Sequence, residues 1–122
     1  MKTLFVTLAI FVLLCAMTAV NFIYINNVAN ELISLTEAID LSEAERSEQL
    51  IKEIDVLWDK SAPLFSLSVN FREIDYLGET VLALEAAIKS RNEADVNRYR
   101  SLLLDAIDGV SRLERFSVIN IL

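Results

Sequence analysis

The sequence predicts an all-α protein: an N-terminal transmembrane helix followed by an antiparallel up-down helical bundle of three to four helices. Three observations carry this. No charged residue occurs from Thr3 to Asn30, and almost every residue from Leu4 to Val20 is apolar. The 122 residues include only two Gly and one Pro, so helix-breaking turns are scarce and long helices are favoured. Beyond the apolar run, hydrophobic residues recur at intervals of three and four, the spacing of one face of a helix.

The first element is the anchor, residues 1–25. Thirteen of the 22 residues from Leu4 to Ile25 are Leu, Ile, Phe or Val. At the bilayer centre such residues together favour insertion by roughly 4 to 8 kcal/mol. As a helix the segment is about 33 Å long, enough to cross the hydrocarbon core. Thr3, Thr7 and Thr18 weaken insertion little, because a helical Thr bonds its own backbone carbonyl. Tyr24 stands where an interfacial aromatic belongs. A cleaved signal peptide is the rival reading. Its apolar region is shorter and ends at a small-x-small site, whereas cleavage after Ala19 would put Met17 three residues back. A retained anchor is therefore expected. Lys2 precedes the span, and the first basic residue after it is Arg46, beyond Glu31, Glu37, Asp40, Glu43 and Glu45. Positive charge near a span stays cytoplasmic, so the N-terminus is expected inside and residues 26–122 outside, as an extracytoplasmic bundle.

Val28, Leu32, Leu35 and Ile39 continue the periodicity, predicting a stalk over 26–41. Ser42 and Glu45 form a capping box and start a helix of about 43–60, with Leu50, Ile54 and Leu57 as its stripe. Pro63, with Ser61 as cap, marks the next start. That helix covers about 64–90, with Leu67, Phe71, Ile74, Leu77, Val81, Leu84 and Ile88 on one face and Gly78 inside it. Asn92 caps a last helix of about 93–116, striped by Val96, Tyr99, Leu103, Ala106, Val110 and Leu113. An apolar tail, 117–122, follows. Short connections between long amphipathic helices imply antiparallel neighbours.

Composition excludes several functions. The chain has no His, removing the commonest general base and metal ligand. Its one Cys, Cys15, lies in the span, so no disulfide staples the bundle. Eleven basic residues against 18 acidic ones give a net charge of −7, which argues against nucleic acid. No nucleophile–base pair, metal-ligand spacing or phosphate loop is present, so no catalytic, cofactor or metal site is expected.

The acidic residues Glu43, Glu45, Glu48, Glu53, Asp55 and Asp59 are spread along one helix rather than gathered in a calcium loop, and read as a solvated face. Arg91, Arg98, Arg100, Arg112 and Arg115 are interleaved with acids and are expected to pair with the acidic helix or within their own. Candidate interaction residues are fewer. Trp58 reads first as a core anchor. Phe71, Glu73 and Asp75 are further candidates; the two acids, with Asn70, Arg72 and Tyr76, form a polar cluster whose default is surface charge. Phe116, Val118, Ile119, Asn120, Ile121 and Leu122 make an apolar end that either folds back on the bundle or docks into a partner or lipid.

Lys2 before a span, Trp58 near the end of an acidic helix, Val69 with Glu73-Ile74-Asp75, and a closing Asn120-Ile121-Leu122 together resemble a family of small, N-terminally anchored bacterial proteins, domain of unknown function 4363. The resemblance covers nearly the whole chain. It implies a Gram-positive, often spore-forming source and supplies no activity. Family members often carry His in the middle stretch where this chain has Phe71, so no histidine chemistry transfers. The expected role is a membrane-anchored structural or protein-interaction module of the cell envelope without catalysis. Its partners would be membrane lipid through Leu4–Ile25 and an envelope protein or a second copy, for which Cys15 and Ala19 share a face of the span. The alternative is an extracytoplasmic ligand-sensing bundle acting through a membrane partner.

Overall fold

A computed structural model describes residues 1–65 and 71–121, with side chains through residue 112. The sequence-predicted Leu67, Val69, Asn70, Leu113, Arg115 and the side chains of residues 116–122 lie outside the described residues. The described residues form four helices and no strand: α1 (Lys2–Glu37), α2 (Ala44–Phe65), α3 (Phe71–Lys89) and α4 (Glu93–Ile121). Each helix packs on its neighbours in the chain, and α1 closes the ring on α4. The result is an up-down four-helix bundle with a long apolar extension of one helix.

α1 divides at Ile25. Before it every side chain is exposed or half-buried, and Leu4, Phe5, Phe11 and Leu13 stand open. α1 is long and apolar enough to cross a membrane. Thr7 and Thr18 donate to the carbonyls of Thr3 and Leu14, at 2.8 and 2.9 Å, so their hydroxyls need no water. From Ile25 onward α1 enters the core: Ile25, Val28, Ala29, Leu32 and Thr36 are buried between α2 and α4. The expected stalk is thus corrected to the first helix of the bundle. The stripe Val28–Leu32–Leu35–Ile39 is as it was read; its partner is the chain's own bundle.

The turn into α2 is pinned by three side chains. Asp40, not Ser42, caps the one-turn 3-10 helix Leu41–Glu43, its Oδ1 accepting from the Ser42 N–H at 3.0 Å. The expected capping box is displaced because the aspartate two residues earlier takes the orphan amide first. The buried Ser47 Oγ donates to the Asp40 carbonyl at 2.7 Å and accepts its N–H at 3.0 Å. Arg100 reaches from α4 to the Ile39 carbonyl at 2.8 Å.

Pro63 also corrects the expectation. It lies inside α2, which continues to Phe65, rather than opening the third helix at Leu64. Pro supplies no N–H to the preceding turn. In the last turn of α2 that loss is weighed against burial of Phe65, 1 % exposed, whose ring meets Trp58 at 5.4 Å. Full burial of a Phe contributes about 1.5 to 3 kcal/mol. Ser61 is no cap: buried, it donates back to the Leu57 carbonyl at 2.7 Å.

α3 buries Ile74, Leu77, Val81, Leu84 and Ile88 as the spacing requires. Phe71, read as part of this stripe, is 69 % exposed because it falls on the flank of α3 shared with the exposed Asp75 and Leu82, off the buried face. The α3–α4 turn is a Schellman arrangement. The Asn92 N–H bonds the Ala87 carbonyl and the Arg91 N–H the Ile88 carbonyl, with Arg91 left-handed at φ 57°. Asn92 caps α4 as expected, its Oδ1 accepting the Asp95 N–H at 3.2 Å. α4 then runs past the expected end near 116 to Ile121, so the segment read as a separate tail continues the helix.

Candidate interaction surface

The bundle interior leaves no polar chemistry to exploit. Its core is a continuous cluster from Ile25 and Leu32 through Ile54, Leu84 and Leu103 to Val110. Thr36, Ser61 and Thr80 are buried but bond carbonyls of their own helices. Among the described residues no group of three or more His, Cys, Asp or Glu side chains could hold a metal ion.

The acidic face of α2 is open to solvent at Glu43, Glu45, Glu53 and Asp59 and half-buried at Glu48 and Asp55. Burial, reinforced by Asp59 on the same helix and Glu85 on α3, raises the Asp55 carboxyl above the ordinary aspartate value. Glu48 is tied to Arg91 at 3.0 Å, joining α2 to the far turn. Four of the described arginines are engaged at separate places. Arg91 pairs with Glu48, Arg112 with Asp108 one turn back, Arg100 holds Ile39, and Arg98 lies 5.5 Å from the Tyr99 ring centroid.

Of the predicted interaction residues, Trp58 is withdrawn from the surface. It is 4 % exposed, packed on Phe65 and facing Gly78, where an added Cβ would lie 3.4 Å from Nε1. Phe71, Glu73 and Asp75 are exposed together at the start of α3, with Tyr76 beside them. The structure does not bring them against Trp58.

Two surface grooves were not legible in the sequence. One runs along the upper part of the apolar extension, where Leu64 of α2 overhangs Met17, Val20, Asn21 and Tyr24. Its walls are apolar, and it sets the end of α2 beside the stretch of α1 between Leu14 and Tyr24. The other lies on the α1–α2 seam, with Leu35, Val56 and Leu57 on its floor and Glu31, Lys52 and Lys60 on its rim. On α1 itself, Cys15, Thr18, Asn21 and Phe22 are half-buried while their neighbours on the other faces are exposed. Their spacing continues the buried face of Ile25, Val28 and Leu32 toward the N-terminus.

No curated protein matches this chain, and no solved structure matches it either. The sequence model of one family, described as Domain of unknown function (DUF4363), matches residues 19–121, from the upper part of the apolar extension to the last residue of α4. The match takes in the four-helix core and the half-buried face above Thr18, and the chain belongs to the DUF4363 family.

Proposed function

We propose that the protein is a non-catalytic interaction module, fixed by α1 in a bacterial cytoplasmic membrane with its bundle on the outer side. One observation supports this above the others. The most apolar eighteen-residue window of α1 has no buried residue, while the same helix, without a break, supplies a quarter of the bundle. An exposed apolar surface of that length in water carries a cost that insertion removes. Lys2 on one side of the span and the acids Glu31 and Glu37 on the other favour the N-terminus inside.

The interaction role rests on what the bundle offers. Its core is apolar and continuous, and its described surface carries the exposed apolar residues Val56, Phe71 and Leu82 among charges of mainly negative sign. Such a surface suits a protein partner bearing basic residues.

Protease treatment of intact protoplasts carrying a C-terminally tagged protein tests the placement. Loss of the tag with the protein still membrane-bound supports the reading. A tag that survives until the cells are lysed overturns the orientation, and a shortened protein in the medium overturns the anchor. For the interaction role, a photo-crosslinking residue at position 56 or 82 should capture one partner band in living cells. Absence of any adduct at both positions counts against it.

A further inference from the structure

We propose that the closing turns of α4, residues 116–121, enter the near leaflet of the membrane beside α1, so that the bundle stands with its foot in the lipid rather than above it. The inference rests on the anchored reading of α1 and adds a second membrane contact to it.

The argument begins with helix lengths. α3 and α4 form a hairpin through the turn at Ser90–Asn92, and α4 has 29 residues against 19 in α3. α4 therefore runs ten residues past the start of α3. At the helical rise this is about 15 Å. That direction is the one in which α1 leaves the bundle, because α2 and α4 both run antiparallel to α1. The depth reached can be read on α1. Leu64, at the foot of α2, shares a groove with α1 residues between Leu14 and Tyr24, so the foot of the bundle already stands beside this stretch of the apolar extension.

The half-burial of α1 falls within that window. Cys15, Thr18, Asn21 and Phe22 lie on one face below Ile25, and they are the residues covered while the rest of the extension is open. α4 packs on α1 along the bundle, and its surplus length carries its backbone past this face. Length and burial are separate observations and agree on the same stretch.

The residue types in the surplus suit lipid. After Glu114 and Arg115 no charged residue occurs from Phe116 to Ile121, and Phe116, Val118, Ile119 and Ile121 are apolar. In the sequence Arg112 and Arg115 come just before this run, a spacing at which long cationic side chains can reach headgroups. One physical limit sets the depth. The last carbonyls of a helix have no partner within it, and an unpaired carbonyl in hydrocarbon costs several kcal/mol. The proposal therefore keeps these carbonyls near the headgroups of the near leaflet, within reach of water.

The test uses the full chain with Cys15→Ser, reconstituted in nanodiscs of phosphatidylcholine and phosphatidylglycerol, both faces of which are open to solvent. A single cysteine is placed in turn by Ser117→Cys, Val118→Cys, Ile119→Cys and Asn120→Cys, covering all sides of the helix, and labelled with an environment-sensitive fluorophore. Leu8→Cys in the span and Leu82→Cys on α3 are the references. The proposal expects at least one of the four labels to resist an aqueous quencher at least tenfold longer than the label at 82, and to be quenched by nitroxide-bearing acyl chains. Labels quenched as fast as the one at 82 overturn it while leaving the anchor in place. Labels shielded from both quenchers mean packing on the protein alone and overturn it as well. If the label at 8 is itself open to the aqueous quencher, the anchored reading fails and the proposal with it.

Discussion

Replacing Leu32 with alanine separates a bundle helix from a stalk. Leu32 is 1 % exposed and faces the core with Val28 and Ala29 of α1. Leu→Ala removes three carbons, and at about 0.8 kcal/mol for each buried methylene the transfer loss is about 2.4 kcal/mol. The core around Leu32 is built with α2 and α4 and collapses only in part, so a cavity cost adds to this. The expected loss is about 3 to 4 kcal/mol, within the range found for buried leucines. A small domain has a total stability of about 5 to 15 kcal/mol, so the change is large. The assay is urea denaturation of the full chain in mild detergent, read by Trp58. It is the sole tryptophan and 4 % exposed, so its emission shifts when the core opens. Leu13→Ala is the control. Leu13 is 60 % exposed on the extension, and its truncation should move the transition by less than about 0.5 kcal/mol. If Leu32→Ala moves it no more than Leu13→Ala does, α1 is not part of the cooperative core and the reasoning fails.

Other substitutions probe the turns and the charges. Ser47→Ala orphans the Asp40 N–H, while the Asp40 carbonyl keeps the Glu43 N–H at 3.0 Å; a net loss of about 1 to 2 kcal/mol is expected in the same urea assay. Arg91 is left-handed, so Arg91→Gly should be more stable than Arg91→Ala by about 1 kcal/mol, both variants having lost the Glu48 and Ile88 contacts; equal stabilities would refute the strain. Asp40 and Asp55 should respond to pH with opposite signs. Hydrogen bonds from Ser42 lower the Asp40 value below 3.8, so its contribution is present above 3.8 and lost as pH falls through the folded value. Burial raises Asp55, so its ionised form destabilises the fold increasingly as pH rises from 3.8 through the folded value. Asp55→Asn should therefore stabilise the protein at neutral pH and not in acid. Asp40→Asn should destabilise it at neutral pH and converge with the native chain in acid. Urea midpoints on both sides of the window decide each case.

Which of these features could be read from the sequence follows from what each depends on. The stripe Ile74–Leu77–Val81–Leu84–Ile88 and the Asn92 cap are local, set by residues within a turn or two, and both stand as read. The run Val28–Ile39 was equally visible but ambiguous, because three-and-four spacing is the same whether a helix packs on a second copy or on its own bundle. Pro63 misled for another reason. The rule that Pro opens helices describes where its missing N–H costs least, and the last turn of α2 tolerates it once Phe65 and Trp58 pack together. Phe71 is off the register of the stripe: it shares its side of α3 with the exposed Asp75 and Leu82, about 100° round from the buried face. Position along the bundle axis depends on helix lengths and turns, not on periodicity. The overhang of Leu64 and the reach of α4 beyond Phe71 were hidden on the same account, since both require knowing which residues of different helices share a level.

The continuity of α1 limits how the protein can work. From Lys2 to Glu37 it contains neither Gly nor Pro, and its lower half meets solvent or lipid while its upper half is a wall of the core. A flexible tether would let the bundle search for partners at any tilt. Here the span cannot rotate or shift without moving Ile25, Val28 and Leu32 against α2 and α4, at the cost of their packing. With α1 inserted as proposed, the bundle would be held at one height and in one rotational setting relative to the membrane. A partner that binds its flank must come to that height, which a second membrane protein can do and a freely diffusing one does only by chance. A lateral contact on Val56 or Leu82 would then be felt by the span as a push on a rigid lever. That is why the decisive substitutions lie at Leu32 and along α4, where the lever is fastened, rather than on the acidic face alone.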